Sequence, residues 1–315
     1  MSTSSPLSLR EEELTSGAPM AQQSPALLPA GSSAWEQALS LGRYLTQTEV
    51  HTYAFSVAAN AILSLCPFIV MMFVVAREIF HWRAMENVIG DMVRYFLPTG
   101  QDFVVRNLTI VAHARHGVQL ASLIMLVISS TGVFLPLETA LNKVWGIGEN
   151  RSYLRNQAIS FGLAVAIGAL AMVSVALTAA QNAVLRLLFF GHTNNAFYSF
   201  LAHWTLQISA AIASILLFFL IYWILPNRRL PVRAVLPAAI VAGLLWELAK
   251  MGYIAALPWL DFHSIYGPFS ISVSLMMWAF LTGLLLLAGA HFSATRHALR
   301  LAHLADLERA NEEQG

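Results

Sequence analysis

Six long apolar stretches run through this chain, and they constrain its fold more than any other feature of the sequence. A helix needs roughly 20 predominantly apolar residues to cross about 30 Å of hydrocarbon, where every backbone polar group must be bonded within the protein. The stretches that meet this requirement are 52–76, 118–137, 156–185, 206–225, 235–256 and 269–291. They predict an all-α integral membrane protein with six transmembrane helices.

The composition favours a membrane protein over a soluble one. The residues are 57% hydrophobic and 11% charged, whereas soluble domains carry roughly 25% charged residues on their surfaces. The 18 basic and 17 acidic residues nearly cancel, so the chain lacks the basic excess of a nucleic-acid-binding surface. Its single cysteine, Cys66, can form no internal disulfide and is expected to be a packing residue in the first stretch.

The two polar ends of the chain are expected to be tails. Residues 1–33 are rich in Ser, Pro and Gln, and they hold too few large apolar groups to offset the entropy of ordering them. They also lack the basic start and apolar core of a cleavable signal peptide. The predicted organisation is therefore a disordered tail at 1–33, a membrane domain at 34–295 and a polar helical tail at 296–315.

The distribution of charge predicts that both termini are cytoplasmic. Arg and Lys concentrate in cytoplasmic loops, and this orientation puts eleven of them on the cytoplasmic side and six on the other. Five of those six lie between Arg77 and Gly117, which opposes the assignment. Apolar residues in that segment recur at helical spacing and predict an amphipathic helix at the interface between the first and second spans.

Glu247 and Lys250 are the leading candidates for a functional role. They lie in the fifth stretch at i, i+3 spacing, so they share one helical face and can pair with each other. Ionisable groups inside a span are costly and usually face the interior of the bundle. Two interpretations stay open: a polar patch on a substrate path, which would predict a lateral groove beside the fifth span, or a structural pair that locks helices together.

The other polar groups near the spans have simpler interpretations. Glu138, one helical turn before Asn142, is expected at the membrane interface where the second span ends, in preference to the alternative of a buried functional carboxylate. Asn60 and Ser64 belong to a polar seam in the first span that favours helix packing over substrate contact. His291 is expected to be an interfacial anchor near the end of the sixth span.

The sequence indicates no catalytic or metal chemistry. His113 and His116 have helical spacing, but no carboxylate or cysteine completes a metal set around them. The chain has no phosphate-binding P-loop, no nucleophile elbow and no zinc-protease motif. We therefore expect no cofactor, no bound metal and no enzymatic activity.

A series of short motifs, in order along the chain, resembles the YihY/BrkB family of bacterial inner-membrane proteins. These motifs are Ser64-Leu65-Cys66-Pro67, Ala140-Leu141-Asn142-Lys143-Val144-Trp145-Gly146, Leu225-Pro226-Asn227-Arg228-Arg229, Leu236-Pro237, Leu245-Trp246-Glu247-Leu248-Ala249-Lys250 and Tyr266-Gly267. The resemblance covers roughly residues 35–295 and implies six spans, an inner-membrane location and cytoplasmic termini. Asn227, Arg228 and Arg229 would then lie in a cytoplasmic loop. One departure is His291, which stands where the family usually has an acidic residue.

Three functions are weighed from the sequence. The leading hypothesis is a transporter-like protein that handles an amphipathic envelope substrate such as a lipid, with membrane lipids as its partners. The second is a scaffold for an envelope partner protein, with the segment from Arg77 to Gly117 as the contact surface. The third is a ribonuclease, an old label of the family, for which the chain offers neither a metal-and-phosphate site nor a basic groove for RNA.

Overall fold

The chain forms a bundle of long helices. The structure, a computed structural model, describes residues 33–78, 89–90, 93, 97–102, 105–106, 116–148, 151–188 and 196–312. Within those residues there are no strands, and six helices are long and apolar enough to cross a membrane. The predicted fold class is therefore confirmed. The predicted tail up to residue 32, most of the predicted amphipathic helix and His113 lie outside the described residues.

The helices are named here in chain order. They are α1 (Ala34–Leu45), α2 (Thr48–Glu78), α3 (His116–Val144), α4 (Tyr153–Leu188), α5 (Ala196–Ile224), α6 (Val232–Leu260), α7 (Phe262–Tyr266) and α8 (Ser270–Glu312). The six spans correspond to α2, α3, α4, α5, α6 and α8. Each of these helices is longer than its apolar stretch, and α8 continues without a break into the predicted polar tail as far as Glu312. A helix can extend beyond the hydrocarbon in this way because its backbone bonds are internal.

The six spans form a closed ring. Each of the first five packs on the next in the chain, and α8 packs on both α6 and α2. Small residues allow the close approaches. A Cβ added at Gly243 of α6 would lie 2.9 Å from the Cα of Ile215 in α5, and one added at Gly283 of α8 would lie 3.3 Å from the Cα of Ala54 in α2. The ring therefore depends on glycine at helix crossings, as membrane bundles commonly do.

Helix α1 precedes the first span, where the sequence analysis predicts no helix. Ser33 and Glu36 form a reciprocal capping box at its start: the Ser33 amide donates to Glu36 Oε2 at 2.8 Å, and the Glu36 amide donates to Ser33 Oγ at 3.3 Å. The motif is readable in the sequence as a Ser followed three residues later by a Glu. The helix packs against α8.

Three apolar residues of the segment between α2 and α3 pack against the bundle. Ile89, Val93 and Leu97 are buried, and they cluster with α2 side chains that include Met72 and Phe73. Their four-residue spacing puts them on one side of a helix. Ile89 and Val93 are among the apolar residues that predict the amphipathic helix, whose place at the membrane interface stays a prediction.

Cys66 lies on the outside of α2. The thiol is exposed, whereas the next residue, Pro67, is buried. The expected packing role for Cys66 is therefore wrong, because each step along a helix turns the side chain by about 100° and carries position 66 away from the ring.

Candidate functional site

The Glu247–Lys250 pair forms on the inner side of α6. Lys250 Nζ lies 2.7 Å from Glu247 Oε2, and the two side chains are 5% and 14% exposed. Glu247 is about 22 Å from the start of a helix about 43 Å long, so the pair lies near the middle of the span. The structure thus brings together the two residues that the sequence singles out, at a depth where charge is costly.

Neighbouring helices contribute polar contacts to this pair. Ser214 of α5 donates from Oγ to Glu247 Oε1 at 2.8 Å, and the same hydroxyl lies 3.0 Å from the Ala210 carbonyl oxygen. Lys250 Nζ lies 5.0 Å from the centre of the Trp246 ring, within range of a cation–π contact. Trp246 in turn donates from Nε1 to Thr282 Oγ1 of α8 at 3.2 Å. Helices α5, α6 and α8 therefore meet at one polar patch.

A cavity of about 230 Å³ lies beside this patch. Its walls come from α2, α4, α5, α6 and α8, together with Ile89, Val93 and Leu97 of the segment after α2. Most of the lining is aliphatic or aromatic, and the polar groups on it include Ser214, Trp246 and Thr282. Ser214 and Trp246 thus line the cavity and also contact the ion pair, Ser214 at Glu247 and Trp246 at Lys250. We name this space cavity one.

Cavity one differs from the groove that the substrate-path interpretation predicts. The expected groove was beside the fifth span and open to the side. The space lies instead on the face of α6 that points into the ring, whereas the opposite face carries exposed Leu244, Leu248 and Met251. Trp246 and Glu247 turn inward because the neighbouring leucines occupy the outer face.

A second polar cluster surrounds Glu138 at the end of α3. Glu138 is only 3% exposed, and the side chains of Asn142, Asn156 and Asn227 are near its carboxylate. Its Oε2 atom has no hydrogen-bond partner within the described residues. The sequence analysis expects Glu138 at the membrane interface and weighs a buried carboxylate against that position. The structure shows that the group is buried between helices, with Arg151 and Asn227 among its neighbours.

Arg151 ties this cluster to the connection between α5 and α6. Its Nη1 lies 3.9 Å from Glu138 Oε1 and donates to the Leu225 carbonyl at 3.2 Å, and its Nη2 donates to the Pro226 carbonyl at 2.7 Å. Burial lowers the pKa of the Arg151 guanidinium, and the nearby Glu138 carboxylate opposes that shift. An arginine nevertheless keeps its charge in proteins, so the cluster contains a buried opposite charge for Glu138.

Two of the short motifs meet in the same cluster. In the motif at the end of α3, Asn142 Oδ1 accepts a hydrogen bond from the backbone N–H of Asn227 at 2.9 Å. The next two residues of the second motif, Arg228 and Arg229, are exposed. Asn227 therefore holds the connection in place, while the two arginines point away from it. Spacing alone gives no sign of this contact, because 85 residues separate the two asparagines.

Asn60 and Ser64 both donate hydrogen bonds to carbonyls of their own helix. Asn60 Nδ2 donates to the Ser56 carbonyl at 2.9 Å, and its side chain lies against Gly132 of α3, which fits a packing role. Ser64 donates to the Ala61 carbonyl at 3.1 Å.

His291 is not at a surface. It is 8% exposed, its ring stacks on Tyr44 of α1 with centres 4.4 Å apart, and its Nε2 lies 3.2 Å from Ser40 Oγ. Helix α1 covers the residue, so His291 packs inside the protein, and its place relative to the membrane interface stays a prediction.

Comparisons with known proteins place the chain among bacterial membrane proteins. A family model described as "Virulence factor BrkB" matches residues 41–314. A UPF0761 membrane protein of Pseudoalteromonas atlantica is 26% identical over 240 residues, which are 74% of this chain and 76% of the relative. A UPF0761 membrane protein of Cronobacter sakazakii is 24% identical over 274 residues, which are 84% of this chain and 90% of the relative. No solved structure matches the chain.

Proposed function

This chain belongs to the BrkB virulence-factor family of multi-pass membrane proteins, and we propose that it is a transporter-like protein that handles an amphipathic envelope substrate such as a lipid. The observation that carries the proposal is the contact between cavity one and the buried Glu247–Lys250 pair. Ser214 and Trp246 belong to both, so a polar group and an apolar space adjoin each other inside the ring.

The two parts suit the two ends of an amphipathic molecule. A charged headgroup crossing a dry bundle needs charged partners, and Glu247 and Lys250 provide both signs near the middle of α6. An apolar chain needs a space with few polar groups, which cavity one provides. An engineered cavity of about 150 Å³ holds a benzene molecule, so about 230 Å³ is enough for part of a hydrocarbon chain.

The structural-lock and scaffold interpretations from the sequence analysis are competing proposals. The structural-lock interpretation of Glu247 and Lys250 is supported by the contacts that the pair makes with α5 and, through Trp246, with α8. The scaffold proposal depends on the segment from Arg77 to Gly117, most of which lies outside the described residues. If mutating that segment abolishes the protein's biological function while the ion pair stays intact, the scaffold proposal is favoured.

We also propose that the protein lies in a bacterial inner membrane with both termini in the cytoplasm, as the charge distribution suggests. The test is protease treatment of a C-terminal tag in membrane vesicles of known orientation. The proposal requires cleavage in inside-out vesicles and protection in right-side-out vesicles. The opposite result would reverse the orientation.

The proposed function is tested by identifying the lipids that stay with the protein when it is extracted in native nanodiscs. We expect one lipid class to be enriched over the bulk membrane. This enrichment should be lost in the double variant Glu247→Gln/Lys250→Met, which removes both charges together. It should be weakened in Ser214→Ala, which removes the hydroxyl shared by the pair and the cavity. Mass spectrometry of the extracted lipids measures the effect.

Ser209→Ala is the matched control. Ser209 lies on the same helix and donates to Gln181 Oε1 at 3.0 Å, as Ser214 does to Glu247, but it does not line cavity one. The enrichment should survive this change. If the wild-type protein carries only bulk lipids, or if all variants keep the same enrichment, the pair is a structural lock and the transport proposal fails.

A further inference from the structure

A second cavity of about 160 Å³ lies beside the first span. Helices α2, α3 and α4 line it, with Val133 and Phe134 of α3 and Ala164 of α4 among the lining residues. One polar side chain on it, Ser64, already donates its hydroxyl to a carbonyl of its own helix. The space is therefore almost wholly apolar. We name it cavity two.

Only a thin wall separates the two cavities. Leu65 and Phe68 of α2 and Ile167 of α4 line both of them. Beside Phe68 is Gly168, where an added Cβ would lie 3.6 Å from the edge of the Phe68 ring. Pro67 precedes Phe68 and cannot donate a backbone hydrogen bond to the preceding turn of α2. The partition is thus made of side chains next to a weakened turn, and side chains can change rotamer.

We propose that cavities one and two together hold a single unbranched hydrocarbon chain of the substrate, which passes between Phe68 and Ile167. This inference rests on the proposed function and specifies its substrate: a lipid whose headgroup end lies at Ser214 and Trp246 and whose methyl end lies against Val133 and Phe134. The two cavities are in series, so one extended chain can fill both, whereas a ring or a branched chain would meet the partition.

The volumes agree with a long chain. If about 150 Å³ holds the six carbons of benzene, cavity one takes roughly nine carbons and cavity two roughly six. Together they accommodate a chain of roughly fifteen carbons, and a short chain would occupy cavity one alone. Chain length is therefore the property that cavity two selects.

Photocrosslinking tests this placement on the unmodified protein. The probes are two lysophosphatidylglycerols with palmitoyl chains, one with a diazirine near the carboxyl end and one with a diazirine near the methyl end. We expect the first probe to label cavity one, for example at Leu217, and the second to label Val133 or Phe134. Labelling of cavity one by both probes overturns the second cavity's role but leaves the proposed function standing. Labelling only of outward residues such as Ile124 and Ile128, 52% and 65% exposed, overturns both.

A matched pair of variants tests the dependence on chain length. Ala164→Phe fills cavity two, whereas Val165→Phe adds the same ring one position away, on a side chain that is 53% exposed. We expect Ala164→Phe to reduce labelling by the palmitoyl probe several-fold and to leave an octanoyl probe unaffected. Val165→Phe should change neither. Equal loss of both probes in Ala164→Phe overturns the inference, and Ala61→Leu, which fills the same cavity from α2, repeats the test if Ala164→Phe does not fold.

Discussion

Replacing Lys250 with methionine should destabilise the folded protein by about 3–5 kcal/mol, because removing one partner of a buried ion pair leaves the other charge uncompensated. Glu247 would keep its hydrogen bond from Ser214 but lose the ammonium group 2.7 Å away, at a position that is 14% exposed. The measurement is denaturant-induced unfolding of the detergent-solubilised protein, with wild type and variant compared at the same detergent concentration.

The double variant Glu247→Gln/Lys250→Met should recover most of that loss. Replacing a buried pair by uncharged groups of similar volume is often neutral, and the two positions are in contact, so their effects should not add. The control is Lys143→Met. Lys143 pairs with Glu49 on the surface, where the side chains are 55% and 60% exposed, and an exposed pair is worth about 0–1 kcal/mol. A Lys250→Met variant no less stable than Lys143→Met would contradict the prediction.

The double variant also separates the two interpretations of the pair. If the pair only locks helices together, a variant with restored stability should keep its bound lipid and its activity. If the pair contacts the substrate, lipid enrichment should stay lost although stability returns. The two readouts are independent, because stability depends on compensation within the pair, whereas binding a headgroup requires the charges themselves.

The sequence predicts those parts of the fold that depend on local pattern. Six spans follow from apolar length alone, and the Glu247–Lys250 contact follows from helical spacing within one span. The capping box at Ser33 and Glu36 belongs to the same class of signal and could have located α1. These features need no knowledge of which helices are neighbours.

The parts that the sequence does not predict depend on which helices meet. Glu138 is buried by Arg151 and Asn227, and His291 by Tyr44 and Ser40, over separations of up to 251 residues. Cys66 points outward because the ring lies on the other side of α2. The two cavities arise from the shapes of three to five packed helices, and periodicity in one helix carries no information about such a gap.

Replacing Arg151 with leucine should cost about 3–5 kcal/mol of stability, because it leaves the buried Glu138 carboxylate without its opposite charge. It also removes the two hydrogen bonds that Arg151 donates to the carbonyls of Leu225 and Pro226. The change should therefore loosen the connection between α5 and α6 before the bundle as a whole unfolds. Limited trypsin digestion provides a local readout of this, since Arg228 and Arg229 lie in that connection and are exposed.

We expect Arg151→Leu to be cut faster at Arg228 and Arg229 than wild type, under conditions in which other sites are cut at unchanged rates. Arg155→Leu is the matched control, since Arg155 is an exposed arginine one turn further along the chain and its loss should change stability by no more than about 0.5 kcal/mol. If the two variants were digested alike and were equally stable, Arg151 would not be what holds the connection. Asn142→Ala, which removes the acceptor of the Asn227 amide, should accelerate the same cut. A faster cut in Asn142→Ala would show that the contact between Asn142 and Asn227 connects the two motifs.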